Sequence, residues 1–170
     1  MTSSASPDRL LAVYLNDHFA GATLGMELAR RLRSSNENDA ILSRPLEEIC
    51  AEIEADRATL EQLMDQLGIH RGRVKPAAAW AGEKLGRLKL NGQLHGYSPL
   101  SGLVELELLY IGITGKMRMW KALQHTLGEG VGEFDFRQLS ERAARQLGRV
   151  EELHLSAAAL ALPSSNPSRS

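Results

Sequence analysis

Two polar residues stand at positions where amphipathic helices usually carry apolar side chains. In LAVYLNDHFAGATLGMEL, His18 follows Leu11 and Leu15 at spacings of three and four residues, which is the pattern of an inward helix face. The segment 45–68 has the same spacing, with Asp56 in one apolar position. If the two segments form a hairpin, both side chains lie roughly 26–30 Å from its turn. We therefore expect a buried pair that fixes helix register, or a ligand or metal site.

A second candidate is the Glu-x-x-His tetrapeptide from Glu151 to His154. Residues three apart share one helix face, and His154 falls on an apolar stripe. Folding the chain back at about Gly130 brings His154 level with Glu105 and Glu107. We expect these two glutamates to be solvated, because they flank the main apolar stripe of their helix.

Motifs of the common enzyme classes are absent from the sequence. It contains neither a phosphate-binding glycine loop nor a serine, threonine or cysteine nucleophile in a triad pattern. The single cysteine, Cys50, excludes a multi-cysteine metal site and stands among glutamates, which raise rather than lower a thiol pKa. We expect Cys50 to be inert and partly buried.

The elements that position these residues are predicted to be helices, since helix formers abound and only 5% of residues are aromatic. Ser98-Pro99 and Asp135 are helix-start signals. The connection RSSNENDAILSR between the first two helices is short and polar, and LGEGVGE between the last two contains three glycines. We expect antiparallel pairing of the first helix with the second and of the fourth with the fifth. The predicted helices cover 7–33, 45–68, 75–90, 99–127 and 136–160.

One region, residues 87–97, has two interpretations. Asn91-Gly92 is a strong hairpin signal, but Gly92 can also end a helix in the left-handed conformation. We favour the helix end because the apolar stripe of the preceding segment continues to Leu88.

Composition indicates one soluble, cytoplasmic domain over residues 1–162, followed by a disordered tail over 163–170. The chain has 170 residues, 43% hydrophobic and 24% charged. Its polar first residues lack the features of a signal peptide, and no apolar run reaches the roughly 18 residues that a membrane span needs.

Charge gives no general attraction to nucleic acid, because the formal net charge is −1. One local basic cluster could meet a polyanion, with Trp80 available for stacking, but a solvated face explains it more simply. We therefore regard nucleic-acid binding as unlikely. The cluster comprises Arg71, Arg73, Lys75, Lys84, Arg87 and Lys89.

Two long helical hairpins joined by about thirty residues, together with the stretch EEICAEIEADRATLEQLMDQLGI, resemble the ferritin-like four-helix bundle, in an uncharacterised bacterial branch. The resemblance implies an all-α fold of four long helices whose long crossover contains a fifth, shorter helix, the segment 75–90. It also implies a di-iron or di-manganese site built from carboxylates on four helices and two Glu-x-x-His motifs. Glu151 and His154 match one motif, whereas the second helix offers Asp56 and no histidine.

Topology decides whether those residues can share a site. With a one-way crossover, the His18 and His154 clusters lie on the order of 15 Å apart, too far for a dimetal centre. If the segment 75–90 instead runs out and back without crossing, the two clusters are level. We therefore expect a structural or protein-interaction role without a cofactor, including self-association through LVELELLYIGI, which is apolar on more than one side. The alternative is a metal-binding oxidoreductase or storage protein holding iron or manganese on His18, Asp56, Glu151 and His154.

Overall fold

The described part of the chain is mostly helical. The computed structural model describes residues 7–72 and 97–162. Over these ranges the chain forms α1 (Pro7–Ser35), α2 (Ser43–Gln66), α3 (Pro99–Leu127) and α4 (Phe136–Ala161), with a two-stranded hairpin of β1 (Gly130–Val131) and β2 (Phe134–Asp135) between α3 and α4. The all-α prediction is confirmed to this extent, and the helix ends agree with the predicted ones to within two residues.

Local capping explains where two of these helices begin. The hydroxyl of Ser98 accepts a hydrogen bond from the Ser101 amide before Pro99 opens α3, and the carboxylate of Asp135 accepts one from the Gln138 amide at α4. These side-chain oxygens satisfy amides that have no partner within a helix. No side chain caps α2, but the Asp39 carboxylate accepts from the amides of residues 41 and 42 in the turn that precedes it.

The connection LGEGVGE between α3 and α4 contains part of a tight β-hairpin. Val131 pairs with Phe134 and Gly130 with Asp135, while Gly132 has φ +59°, a conformation that glycine adopts without a steric cost. The hairpin buries Phe134 against Phe136 and Trp120 in the core.

Contacts between the helices give their directions. Arg30 of α1 pairs with Glu54 of α2, and Thr23 accepts a hydrogen bond from Arg57, so residue numbers rise along one helix as they fall along the other. The same reasoning makes α3 antiparallel to α4 and to α1, and hence parallel to α2. The α3 contacts are His154 with Glu107, Gln146 with Lys116 and Arg31 with Glu105.

The connection from α2 to α3 begins and ends at positions that lie far apart along α1. The Gly72 amide donates to the Asn16 side chain, whereas Tyr97 lies beside Asn36. Twenty helical residues separate these two contacts, or about 30 Å. The predicted helix 75–90, the question of a hairpin over 87–97, the tail 163–170 and most of the basic cluster lie outside the described residues.

The core consists of two apolar clusters. One contains Leu32, Ile53 and Ile113, and the other contains Leu60, Met119 and Trp120. Asp56 and Lys116 fall between these clusters on α2 and α3. The core is therefore interrupted by a polar layer halfway along the helices.

Among the helices within residues 7–72 and 97–162, none is both long enough and apolar enough to span a membrane.

Candidate functional site: a glycine-lined cavity beside a buried ion-pair network

Asp56 is the centre of the polar layer. Its side chain is only 3% exposed, and its Oδ2 atom accepts hydrogen bonds from Lys116 and, at 2.9 Å, from Gln146. Arg142 lies against Oδ1 as a second ion-pair partner. The inward position predicted for Asp56 is confirmed, and charged partners on α3 and α4 compensate its burial.

The network continues from Asp56 toward the surface. Gln146 is fully buried and also donates to Glu52 at 3.0 Å, while its side-chain oxygen accepts from Lys116. Glu52 in turn pairs with Arg149. Three helices are thus joined by side chains that pair with one another, although the Nε atoms of Arg142 and Arg149 have no hydrogen-bond partner among the described residues.

The prediction that His18 pairs with Asp56 is wrong. Among the described residues, no hydrogen bond or ion pair joins the two side chains, although both border one cavity. The reason is that Lys116 and Arg142 occupy the Asp56 carboxylate. His18 instead contacts Tyr14 edge-to-face, with 4.6 Å between ring centroids.

Burial changes the acid–base behaviour of two groups that face this cavity. Burial lowers the pKa of the Lys116 ammonium, while the carboxylate of Asp56 opposes the shift. Burial likewise lowers the pKa of the His18 imidazole, against the opposing effect of Asp17. His18 is therefore uncharged near neutral pH, whereas burial and the Asp56 carboxylate act on Lys116 in opposite directions.

The cavity lies between α1, α2 and α3 and has a volume of about 230 Å³. Its wall is mainly apolar, and Lys116 and Asp56 supply polar groups on one side. The exposed lining residues Asp17 and Gly21 belong to α1, and the exposed Gly112 belongs to α3. The mouth of the cavity therefore lies between α1 and α3.

Four glycines create this space. Gly21 and Gly25 of α1 and Gly112 and Gly115 of α3 all line it, and a Cβ atom added at any of them would meet no described atom within 4 Å. Helices that use glycine for close packing leave no such room. These glycines therefore open a void instead of bringing two helices into contact.

Trp120 supplies a hydrogen-bond donor at the cavity wall. The side chain is fully buried, and its ring stacks on Phe136 with 6.2 Å between centroids. Within the described ranges, its indole Nε1 has no hydrogen-bond partner. Buried donors are rarely left unpaired, and Trp120 is one of the residues that line the cavity, so its N–H group is a candidate donor to a ligand there.

The second predicted cluster, which contains Glu151 and His154, lies further along α4. His154 is half-buried and its Nε2 lies 3.3 Å from Glu107, which confirms that the two are level, and Glu107 and Glu151 are exposed. The eight residues between Gln146 and His154 correspond to about 12 Å along α4. The sites of Asp56 and His154 are thus separate, and within residues 7–72 and 97–162 no three His, Cys, Asp or Glu side chains form a metal-binding group.

Glu105 was expected to be solvated, and this expectation is wrong. The side chain is 0% exposed, its carboxylate pairs with Arg31 at 2.8 Å, and the hydroxyl of Tyr97 donates to it at 3.1 Å. Burial raises the pKa of Glu105, an effect that Arg31 opposes. The cluster attaches residue 97, where the chain enters α3, to the end of α1.

Cys50 is buried, as expected, and its thiol is unpaired. Burial raises the pKa of this thiol, so the reactive thiolate is disfavoured.

Lys116, Gln146 and Trp120 were not predicted from the sequence as members of a site. A signal for Lys116 existed, since it continues the stripe Leu109, Ile113, Lys116, Trp120 and Leu123 at spacings of four and three. Gln146 likewise follows Ala143 and precedes Val150.

Comparison with known proteins adds no family assignment. The chain matches no protein-family model, no curated protein and no solved structure.

Proposed function

We propose that the chain is a non-catalytic binding protein that holds a small, mainly apolar molecule in the glycine-lined cavity. The observation that carries this proposal is the cavity itself, which has about 230 Å³ of space and a mainly apolar wall. Atoms that line a void lose packing contacts. A molecule that restores those contacts binds the folded state and stabilises it.

The volume indicates the size of the ligand. An apolar protein cavity of about 150 Å³ accommodates benzene, and this one is about one and a half times as large. A single substituted ring or a chain of about eight carbons fits that space, and the mouth between α1 and α3 provides a path for entry.

A ferritin-like arrangement is the scaffold that we propose for this cavity. It is supported by the parallel course of α2 and α3 and by the attachment of residues 72 and 97 to points about 30 Å apart along α1. A cytoplasmic location belongs to the same proposal and agrees with the unpaired Cys50.

Titration with 1-octanol tests the proposal. We expect saturable heat in calorimetry and a rise in melting temperature that follows mass action. Gly25→Leu places a branched side chain in the cavity, so it should weaken octanol binding at least tenfold. Gly148→Leu on α4 is the matched control, because Gly148 has equally free surroundings and does not line the cavity. Equal octanol affinity in both folded variants would contradict the proposal.

Self-association is a second candidate function, and it has its own observation. Leu100, Leu108 and Ile111 are exposed at 37%, 39% and 65%, and with the half-buried Val104 they follow spacings of four, four and three along α3. Such spacing makes one continuous apolar stripe on the outer face of a helix.

Light scattering after gel filtration measures this association directly. We expect an oligomer for the full chain and a monomer for Ile111→Glu, with Leu155→Glu on α4 as a control of similar exposure. If the wild-type chain is monomeric at about 100 µM, this second candidate function is excluded.

Binding of iron or manganese by His18, Asp56, Glu151 and His154 has less support. Cations already occupy Asp56, and His154 contacts the exposed Glu107 about 12 Å further along α4. Metal analysis of untagged protein after reconstitution tests this alternative, which requires stoichiometric metal.

A further inference from the structure

We infer that the ligand of the cavity carries a carboxylate, which Lys116 and Trp120 bind together. This inference rests on the proposed function, because it names the chemical class of the molecule that the cavity holds. A mainly apolar acid with a body of about eight carbons meets both the volume and the polar groups of the cavity.

The first argument is the set of donors that face the cavity. Lys116 has three N–H donors and uses two of them, on Asp56 and Gln146. Trp120 is fully buried, and its indole N–H lacks a partner within the described part of the chain. The cavity therefore offers two donors, and its ligand must supply an acceptor.

The second argument is the spacing of these donors. Lys116 and Trp120 are four residues apart on α3, so their side chains are neighbours on one helix face. Both line the cavity. A carboxylate has two oxygens with about four acceptor sites and can accept from both residues at once, whereas an alcohol presents a single oxygen.

The third argument is charge. The Asp56 carboxylate is shared between Lys116 and Arg142, while Glu52, the next carboxylate of the network, is paired with Arg149. Lys116 is only 15% exposed, and an anion that reaches it replaces the missing water with a charge-assisted hydrogen bond. A ligand carboxylate thereby gives Lys116 an anionic partner that it does not share with Arg142.

Other charged groups at the cavity do not reverse this preference. Arg57 is engaged by Glu61 at 3.5 Å and lies over the ring of Phe19. Asp17 is an exposed residue, where water and salt screen its repulsion of an anion. His18 is uncharged near neutral pH, and its ring nitrogens can add a further donor.

The test compares three ligands that share one chain and differ in the head group: octanoate, 1-octanol and octylamine. In calorimetry at pH 7.5 with the full chain, we expect octanoate to bind about tenfold or more tightly than octanol, and octylamine to bind most weakly. Octanol binding as tight as octanoate binding would overturn the carboxylate inference and leave the proposed function intact. Failure of all three to bind would overturn both.

Two variants locate the head group. Lys116→Met should abolish the preference for octanoate while changing the affinity for octanol less than about threefold. Because this variant leaves Asp56 with fewer partners and can unfold, Trp120→Phe provides an independent test that leaves the ion pairs intact. It should weaken octanoate binding about fivefold, and an unchanged affinity for octanoate in Trp120→Phe would contradict the proposed contact.

Discussion

Asp56 is the residue on which α2, α3 and α4 converge. Its carboxylate contacts Lys116, Arg142 and Gln146, and each of these side chains depends on it for compensation of its own burial. A buried ion pair adds little net stability, but the loss of one partner leaves a charge without compensation. Removal of Asp56 alone should therefore destabilise the fold by more than the ion pairs contribute to its net stability.

Asp56→Asn tests this dependence. We expect the free energy of unfolding to fall by about 3 kcal/mol, because the amide cannot neutralise Lys116 and Arg142. Urea denaturation measures the change. The control is Asp65→Asn on the same helix, whose exposed carboxylate should be worth less than about 0.5 kcal/mol, and a similar loss in both variants would contradict the account of Asp56.

His18 makes the stability of the folded chain depend on pH. Because burial lowers its pKa below the ordinary value of 6.5, the folded state takes up the proton less readily than the unfolded state. The stability associated with His18 is therefore complete above pH 6.5 and is lost as the pH falls from that value through the folded-state pKa.

His18→Gln should remove this dependence. Between pH 7.5 and pH 5.5 we expect the wild-type chain to lose more unfolding free energy than the variant, since glutamine does not titrate. Urea denaturation at the two pH values provides the comparison, with the interval from pH 8.5 to 7.5 as a range in which the two proteins should behave alike. A variant that loses as much as the wild type on acidification would exclude His18 as the source.

At the scale of elements, α1 and α3 carry glycines where a helix usually avoids them. Glycine in a helix interior costs roughly 0.5–1 kcal/mol relative to alanine. The glycines at 21, 25, 112 and 115 keep the cavity open and are not needed for close contact between helices. The cavity is therefore maintained at the expense of helix stability, a pattern that is expected at functional sites.

Alanine at Gly112 should stabilise the protein. We expect a gain of about 0.5–1 kcal/mol, because the new methyl group meets no described atom within 4 Å and reduces the freedom of the unfolded chain. Thermal or urea unfolding measures it. Gly130→Ala gives the opposite control, since its Cβ would collide with the backbone oxygen of Phe134, and a loss of stability at both positions would show that Gly112 serves packing.

Helix boundaries could be predicted because their signals are local. Ser98 and Asp135 cap the amides of their own helix, and this chemistry does not depend on distant residues. The glycine hairpin at 130–135 was missed because its pairing involves only two residues on each strand.

The inward face of a helix could be predicted less well. On α3, Leu109 is buried and Tyr110 is exposed, although either residue fits a stripe with alternating spacings of three and four. Residues one apart differ by only 100° around the helix, so the position of the neighbouring helices decides between them. The same ambiguity concealed Lys116 beside Met117 and Gln146 beside Leu147.

At the scale of the whole molecule, a polar layer and a cavity divide the core into two apolar clusters. All four described helices contribute to the cluster that contains Ile53 and Ile113. Packing of the two clusters holds α1, α2 and α3 apart at their midpoints, where the glycines remove side chains. The cavity is therefore a property of the assembled helices and of no single element.

The indole N–H resonance of Trp120 tests the central claim most directly. In the ¹⁵N-labelled full chain, Trp80→Phe leaves Trp120 as the only tryptophan, so its indole signal is assigned without ambiguity. We expect this signal to shift progressively and to saturate as octanoate is added, because the unpaired donor gains an acceptor. The same titration in a folded Gly25→Leu variant should leave it nearly unchanged. A Trp120 signal that does not move in the folded wild-type background, at octanoate concentrations up to about 5 mM, would contradict a ligand site in the cavity.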